Sequence, residues 1–299
     1  MKEEILEFYK KTSLYTYLGL YETFAKNLPD DICKLCLLQR KQIIHPVTFN
    51  IDGIREKTES FWGDMTQIPI TRLKYEDDLF PTAVSTIIEL LRKDARYTEE
   101  REAKNKIHVT CRSQAILLAA ILKAKGIPAR VRSGFSNYIH QNGVAFDHWI
   151  TEYYHTCEKR WVLVDPDMCC TPVPFNIFDI PREEFMFGAV AWTKFRKNEL
   201  QKDQIYYAGY SYEKREEHHL EGLLRALFYD FHALMNDEVI FLHVPRYIVK
   251  KNFELEEQEL EELDLLASYL LDPDTNFDLL QEIWETNEKY RIMSGGLNG

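Results

Sequence analysis

Apolar residues recur at helical spacing from 3 to 45, and Pro29-Asp30-Asp31 interrupts them with a turn and an N-cap signal, which predicts two helices. From 47 to 80 the period fades among scattered Gly, Pro, Asp and Thr. A long connection is expected there. Pro81-Thr82 then opens a helix whose apolar face includes Val84, Ile87, Ile88 and Leu91.

The middle third has the clearest pattern. Thr110 is placed to cap a helix running from Cys111 to about Lys125, its hydroxyl accepting from a first-turn N–H. Gly126 supplies the stop, Lys123 and Lys125 suit the negative end of the dipole, and Pro128 forbids continuation. Ala115 to Leu122 is apolar on every side, so this helix is expected to be buried. Three runs rich in β-branched and aromatic residues follow, at 129–135, 144–154 and 160–165. They predict a helix packed on an antiparallel sheet. From about Pro181 helical patterns return, with Leu220, Leu223, Leu227, Phe231 and Leu234 on one of them and the acidic stretch Glu254 to Leu271 on another. The expected organisation is an N-terminal helical region (1–80), a core (81–180) and a C-terminal helical region (181–299), packed as one unit.

Composition narrows the functional classes. A chain of 299 residues with 45% hydrophobic residues can bury a sizeable core, and its net charge of -11 argues against nucleic acid, which needs clustered Lys and Arg. The acidic start Met1-Lys2-Glu3-Glu4 does not read as a signal peptide, and no apolar run is long enough to span a membrane. Six cysteines without the spacing of a small secreted scaffold read as reduced thiols, so a cytoplasmic location is expected.

Cys111 would sit at the first turn of the buried helix, where unsatisfied N–H groups and the positive dipole end favour a thiolate and could also stabilise an oxyanion. His148 lies mid-strand in Phe146-Asp147-His148-Trp149-Ile150, held by its scaffold. With residues 155–158 as the hairpin loop, Tyr154 faces Lys159, and counting back sets His148 opposite Asp165; a five-residue loop would instead bring Trp149 opposite Asp165. A carboxylate beside the imidazole fixes its tautomer and stabilises the imidazolium, which stabilises the thiolate.

Thr110-Cys111-Arg112 opening a helix, Lys125-Gly126-Ile127-Pro128-Ala129-Arg130 closing it, Asp147-His148-Trp149, and Trp161-Val162-Leu163-Val164-Asp165-Pro166 resemble the core of the transglutaminase-like superfamily, within the papain-like cysteine fold, as in bacterial-type transglutaminase-domain proteins. The resemblance covers roughly 105–170. It implies an α+β fold with Cys111 as nucleophile, His148 as general base and acid, and Asp165 as orienting carboxylate. The superfamily includes protein cross-linkers, proteases, amidases and inactive scaffolds, so a reaction class is implied and a substrate is not. Val109 stands where many members have a glycine, and no upstream oxyanion donor aligns; Trp62 and Gln67 are candidates.

Blander roles compete at several positions. Asp165 before Pro166 is also placed to end a strand and begin a turn, with Asp167 as the reserve carboxylate. Cys33-x-x-Cys36 lacks a second pair at zinc-site spacing, and Cys157, Cys169 and Cys170 read as ordinary thiols, although vicinal Cys169-Cys170 are placed to sense oxidants. Arg130 and Arg132 are placed to pair with acidic neighbours or to hold a substrate carboxylate, Tyr206, Tyr207, Tyr210 and Tyr212 to fill a core or to line a peptide or sugar groove, and His218-His219 reads as a solvated helix start and Glu254–Glu262 as a solvated helix face. The expected function is acyl transfer on an amide or peptide bond through a thioester, hydrolysis favoured over transamidation, on a protein or peptide substrate and without cofactor or metal. The rivals are a non-catalytic binding scaffold, a metal-binding protein and a dedicated transglutaminase.

Overall fold

The computed structural model describes residues 1–139, 143–241 and 243–292; the end of the expected C-terminal helical region, 293–299, lies outside them. In chain order the elements are α1 (Glu3–Lys10), α2 (Glu22–Lys26), α3 (Ile32–Arg40), β1 (Ile43–Ile44), α4 (Ala83–Lys93), β2 (Ile107–His108), α5 (Cys111–Ala124), β3 (Ala129–Ser136), β4 (Ala145–His155), β5 (Arg160–Val164), β6 (Phe185–Phe187), α6 (Gly188–Arg196), β7 (Ile205–Tyr206), α7 (His219–Leu234), α8 (Arg246–Lys250), α9 (Glu257–Leu270) and α10 (Phe277–Thr286). The fold is α+β, as the pattern predicts. Contacts divide the chain into two units, one of Tyr9–Ala129 with Ile150–Asp179 and the other of Met1–Phe8, Arg130–Trp149 and Ile180–Gly299. Among the described residues no helix is long and apolar enough to cross a membrane.

The first unit is built on α5, whose residues from Cys111 through Lys123 are all buried. Gly126 ends it in the left-handed region (φ +76°), where a side chain would be strained, and Ile127 N–H returns to the Leu122 carbonyl at 3.0 Å. Lys125 does more than match the dipole: its ammonium donates to the carbonyls of Lys26 (3.0 Å) and Leu28 (2.6 Å) and to Asp30 (2.7 Å), tying the turn before α3 to this helix. The cap signal at Asp31 is real, since its carboxylate accepts from Lys34 N–H at 2.8 Å. Thr82 and Ser85 form a reciprocal capping box at α4. Residues 47–80 contain only short 3-10 turns, and Thr151 Oγ1 donates to the Ala115 carbonyl at 3.0 Å, pinning the second half of β4 on α5.

The β4–β5 hairpin corrects the expected register. His155 pairs with Arg160 and Thr151 with Val164, so the four-residue loop is Thr156–Lys159, one step later than expected. His155 begins the turn itself: its carbonyl accepts from Lys159 N–H at 2.8 Å, its ring nitrogen Nδ1 accepts from Glu158 N–H at 3.2 Å, and Lys159 takes a positive φ of 54°. Moving the loop by one residue moves each opposed pair by two. Asp165 is therefore one step beyond the last pair and in line with Ile150, not with His148, and its N–H donates to the Ile177 carbonyl (3.3 Å) instead of continuing the ladder. A two-residue shift leaves every side chain on the same face, which is why the alternation along β4 could not expose it.

In the second unit β3 pairs antiparallel with β6, Gly134 opposite Phe187, and a Cβ at Gly134 would meet the Met186 carbonyl oxygen at 2.3 Å. The strand approaches too closely there for any side chain. The start of β4 pairs in parallel with β7, an addition that two residues of sequence did not announce. Arg130 is paired with Asp274 (2.6 Å) and Arg132 with Asp230 (2.8 Å), both arginines 1% exposed. The tyrosines pack: Tyr206 and Tyr212 against Phe146, and Tyr210 flat on His218 at 3.4 Å.

Candidate active site

Cys111 is the first residue of α5 and 7% exposed. The cap at its N-terminus is not the expected one. The Thr110 side chain accepts nothing from the helix, although its carbonyl accepts from Gln114 N–H at 3.2 Å; its own N–H (3.0 Å) and hydroxyl (2.7 Å) both donate to Asp77 Oδ1, which also accepts from Ser113 Oγ at 2.9 Å. An ion supplied from outside the helix thus holds its first turn. Asp77 is aimed by its neighbour. Glu76 N–H donates to the His108 carbonyl (2.8 Å), while the Glu76 carboxylate accepts from His108 N–H (2.8 Å) and from both Arg72 Nε and Nη2 (2.8 Å each). Burial alone would raise the Glu76 carboxyl, but these donors outweigh it and hold it below its usual range. Burial drives the His108 ring down to about 4, so it stays neutral with Nδ1 2.8 Å from the Leu73 carbonyl.

Asp165 is fully buried in the same unit, and its Oδ1 accepts from the N–H groups of Asp167 (2.9 Å) and Met168 (3.0 Å). The turn role anticipated for it is therefore present on one oxygen. The reserve carboxylate reaches α5: Asp167 Oδ1 accepts from Gln114 Nε2 at 2.6 Å, with Arg40 Nε at 3.8 Å and His45 Nε2 at 3.7 Å from its two oxygens. Gln114 lies one turn after Cys111, on the same side of the helix. Gln39 Nε2 in turn donates to the Gln114 carbonyl at 2.8 Å.

His148 belongs to the other unit, 2% exposed on β4, with the Tyr138 ring edge-on at 6.4 Å. Its neighbour Asp147 is half-buried and accepts from Ala208 N–H at 2.8 Å. Burial pushes that carboxyl up to about 6 in spite of this bond. A carboxyl raised on folding stabilises most below its unfolded value and loses that contribution as pH rises through the folded one. Between pH 4 and 6 the wild type should lose about 1–2 kcal/mol that Asp147→Asn does not, read from urea unfolding across that range. Parallel curves for the two proteins would show that Asp147 titrates as an ordinary surface carboxyl.

Trp62 and Gln67 share the wall of a cavity of about 300 Å³ with Arg101 and Lys106, and Cys111 is not part of its lining. Gln67 Nε2 donates to Asp64 Oδ2 (3.1 Å), and Trp62 Nε1 is buried without a hydrogen-bond partner. Among the described residues no three or more His, Cys, Asp or Glu side chains are placed to share a metal ion. Sequence reasoning missed Asp77, Gln114 and Arg40. Asp77 stands in the aperiodic stretch before Pro81, where no period singles out one carboxylate, and the other two read as ordinary helix positions.

Residues 71–166 match the family model of the transglutaminase-like superfamily. No curated protein and no solved structure matches the chain. The matched segment begins just before Arg72 and ends just after Asp165, so it takes in Glu76, Asp77, Cys111 and His148 as well.

Proposed function

Starting from residues 71–166 as a transglutaminase-like domain, we propose that the chain carries out cysteine-dependent acyl transfer on an amide or peptide bond, with Cys111, His148 and Asp165 as its triad. Cys111 attacks the carbonyl, His148 takes the thiol proton and returns it to the leaving amine, and Asp165 orients the imidazole. The observation that carries this reading is Cys111 at the first residue of a buried helix inside the matched segment, where N–H groups and the dipole favour a thiolate. Water is the proposed acceptor and a protein or peptide the proposed substrate. Incorporation of a labelled primary amine into a glutamine-containing protein would favour transamidation instead.

The test is iodoacetamide alkylation from about pH 5 to 9, followed cysteine by cysteine in wild type and His148→Ala. An unperturbed thiol titrates near 8.5, so Cys111 should react well below that pH and slow by about 100-fold at pH 6 in the variant. Exposed Cys157 serves as the internal reference in both proteins. A Cys111 no faster than Cys157, or one indifferent to His148, would favour the rival reading, a non-catalytic protein- or peptide-binding scaffold.

A further inference from the structure

Vicinal Cys169 and Cys170 follow directly on the turn that holds Asp165 and Asp167, and the proposed acyl chemistry does not use them. Their sulfurs are 3.9 Å apart. Cys170 is exposed and Cys169 is 7% exposed, so one thiol faces solvent and the other backs it. Cys169 also donates to the Pro166 carbonyl at 3.3 Å. Its single proton is thus offered either to that carbonyl or to the Cys170 sulfur. We propose that Cys169 and Cys170 form an oxidative modification site, converted by hydroperoxides to a vicinal disulfide.

The division of labour follows from the surroundings. Hydrogen bonding from Cys169 draws the Cys170 thiol below its usual range, with the positive charges of Arg40 and Lys41 assisting against desolvation. Cys169 is shifted the other way, by its hydrogen bond with Cys170 and by burial. Cys170 is then the attacking thiolate and Cys169 the resolving thiol. The Cys170 sulfur attacks one peroxide oxygen, the O–O bond breaks, and the departing oxygen leaves as water or alcohol after taking a proton, which gives a sulfenic acid. The Cys169 sulfur then attacks the Cys170 sulfur, the S–O bond breaks, and hydroxide leaves as water with the Cys169 proton. Two thiols are oxidised by two electrons in total, and one hydroperoxide is reduced.

Adjacent Cα atoms lie about 3.8 Å apart, below the ordinary disulfide range, so the ring is strained and easily reduced again. Closing it removes the Cys169 S–H donor from the Pro166 carbonyl. The sulfurs must also approach by about 2 Å to reach bonding distance. Both changes act on the turn whose Asp167 and Met168 N–H groups are held by Asp165.

The full-length protein is treated with one equivalent of hydrogen peroxide, unfolded, alkylated with N-ethylmaleimide and digested. The peptide with Cys169-Cys170 should lose two hydrogens and escape alkylation at least tenfold faster than exposed Cys157 is oxidised, and dithiothreitol should restore it. Cys169→Ser should leave a Cys170 sulfenic acid that dimedone captures, and Cys170→Ser should leave Cys169 alkylatable. Amide exchange at Asp167 and Met168 should quicken about tenfold in the oxidised protein. Equal oxidation of Cys157 and the pair, or dimers cross-linked through Cys170, would overturn the proposal. None of these readouts requires Cys111 to be catalytic.

Discussion

Asp230→Ala is expected to lower the unfolding free energy by about 3–5 kcal/mol, because it removes the carboxylate paired with a buried guanidinium. Asp230 on α7 is 0% exposed and Arg132 on β3 is 1% exposed, so no solvent is available to replace the lost partner. The carboxylate accepts from Arg132 Nε (2.8 Å) and Nη2 (2.9 Å), and its Oδ1 accepts again from Ser133 N–H at 3.1 Å. Three donors therefore converge on one acid. Arg132 also lies over the Phe187 ring at 4.1 Å, a contact too weak to replace a lost carboxylate. The pair itself need not be a net gain over apolar packing. Combining Asp230→Leu with Arg132→Met should recover most of the loss, since well-packed apolar residues often match a buried ion pair. Urea unfolding of the single and double variants measures both statements. A single-variant loss under about 1 kcal/mol would mean that Arg132 finds another acceptor.

The same pair shows what the sequence could and could not reveal. Alternation of Arg130, Val131 and Arg132 marked a strand with charged residues, and two buried arginines in a strand demand acids somewhere. Which acids was illegible, because Asp230 and Asp274 lie about a hundred residues or more away and look like ordinary helix and turn positions. Helices with strong local signals were legible to within a few residues. The stop at Gly126 and the capping box at Thr82 are local chemistry, and local chemistry is what a window of sequence holds. β6 and β7 were missed because strands of three and two residues have no period to detect.

The hairpin failed for a different reason. Loop length was right, but which four residues formed it depended on the His155 ring and carbonyl together closing over Lys159. A histidine serving as a turn acceptor is invisible to hydrophobic alternation. At Cys111, the buried first-turn position was legible from the apolar helix behind it. The cap was assigned to Thr110 because sequence rules look at the adjacent residue, whereas the structure draws the carboxylate from Asp77, more than thirty residues upstream.

That remote cap gives the second large effect. Asp77→Ala should cost about 2–3 kcal/mol, because it leaves the Thr110 N–H and hydroxyl and the Ser113 hydroxyl without their shared acceptor at the start of a buried helix. Asp77→Asn should cost much less, since an amide oxygen at the Oδ1 position keeps the same three donors. The two variants part company at the thiol. Asp77 places a negative charge at the helix end that a Cys111 thiolate must share, so removing the charge while keeping the geometry should favour the thiolate. A dipole-scale gain of 0.3–1 kcal/mol corresponds to about a 2–5-fold rise in Cys111 alkylation near pH 6. Asp77→Ala should instead slow it, because the first turn that carries the sulfur loosens. Urea unfolding and the alkylation pH profile, run on both variants, separate the charge of Asp77 from its hydrogen bonds. If the two variants were equally stable and left the Cys111 profile unmoved, Asp77 would be a surface carboxylate that merely touches the helix, and the start of α5 would be held by its packing alone.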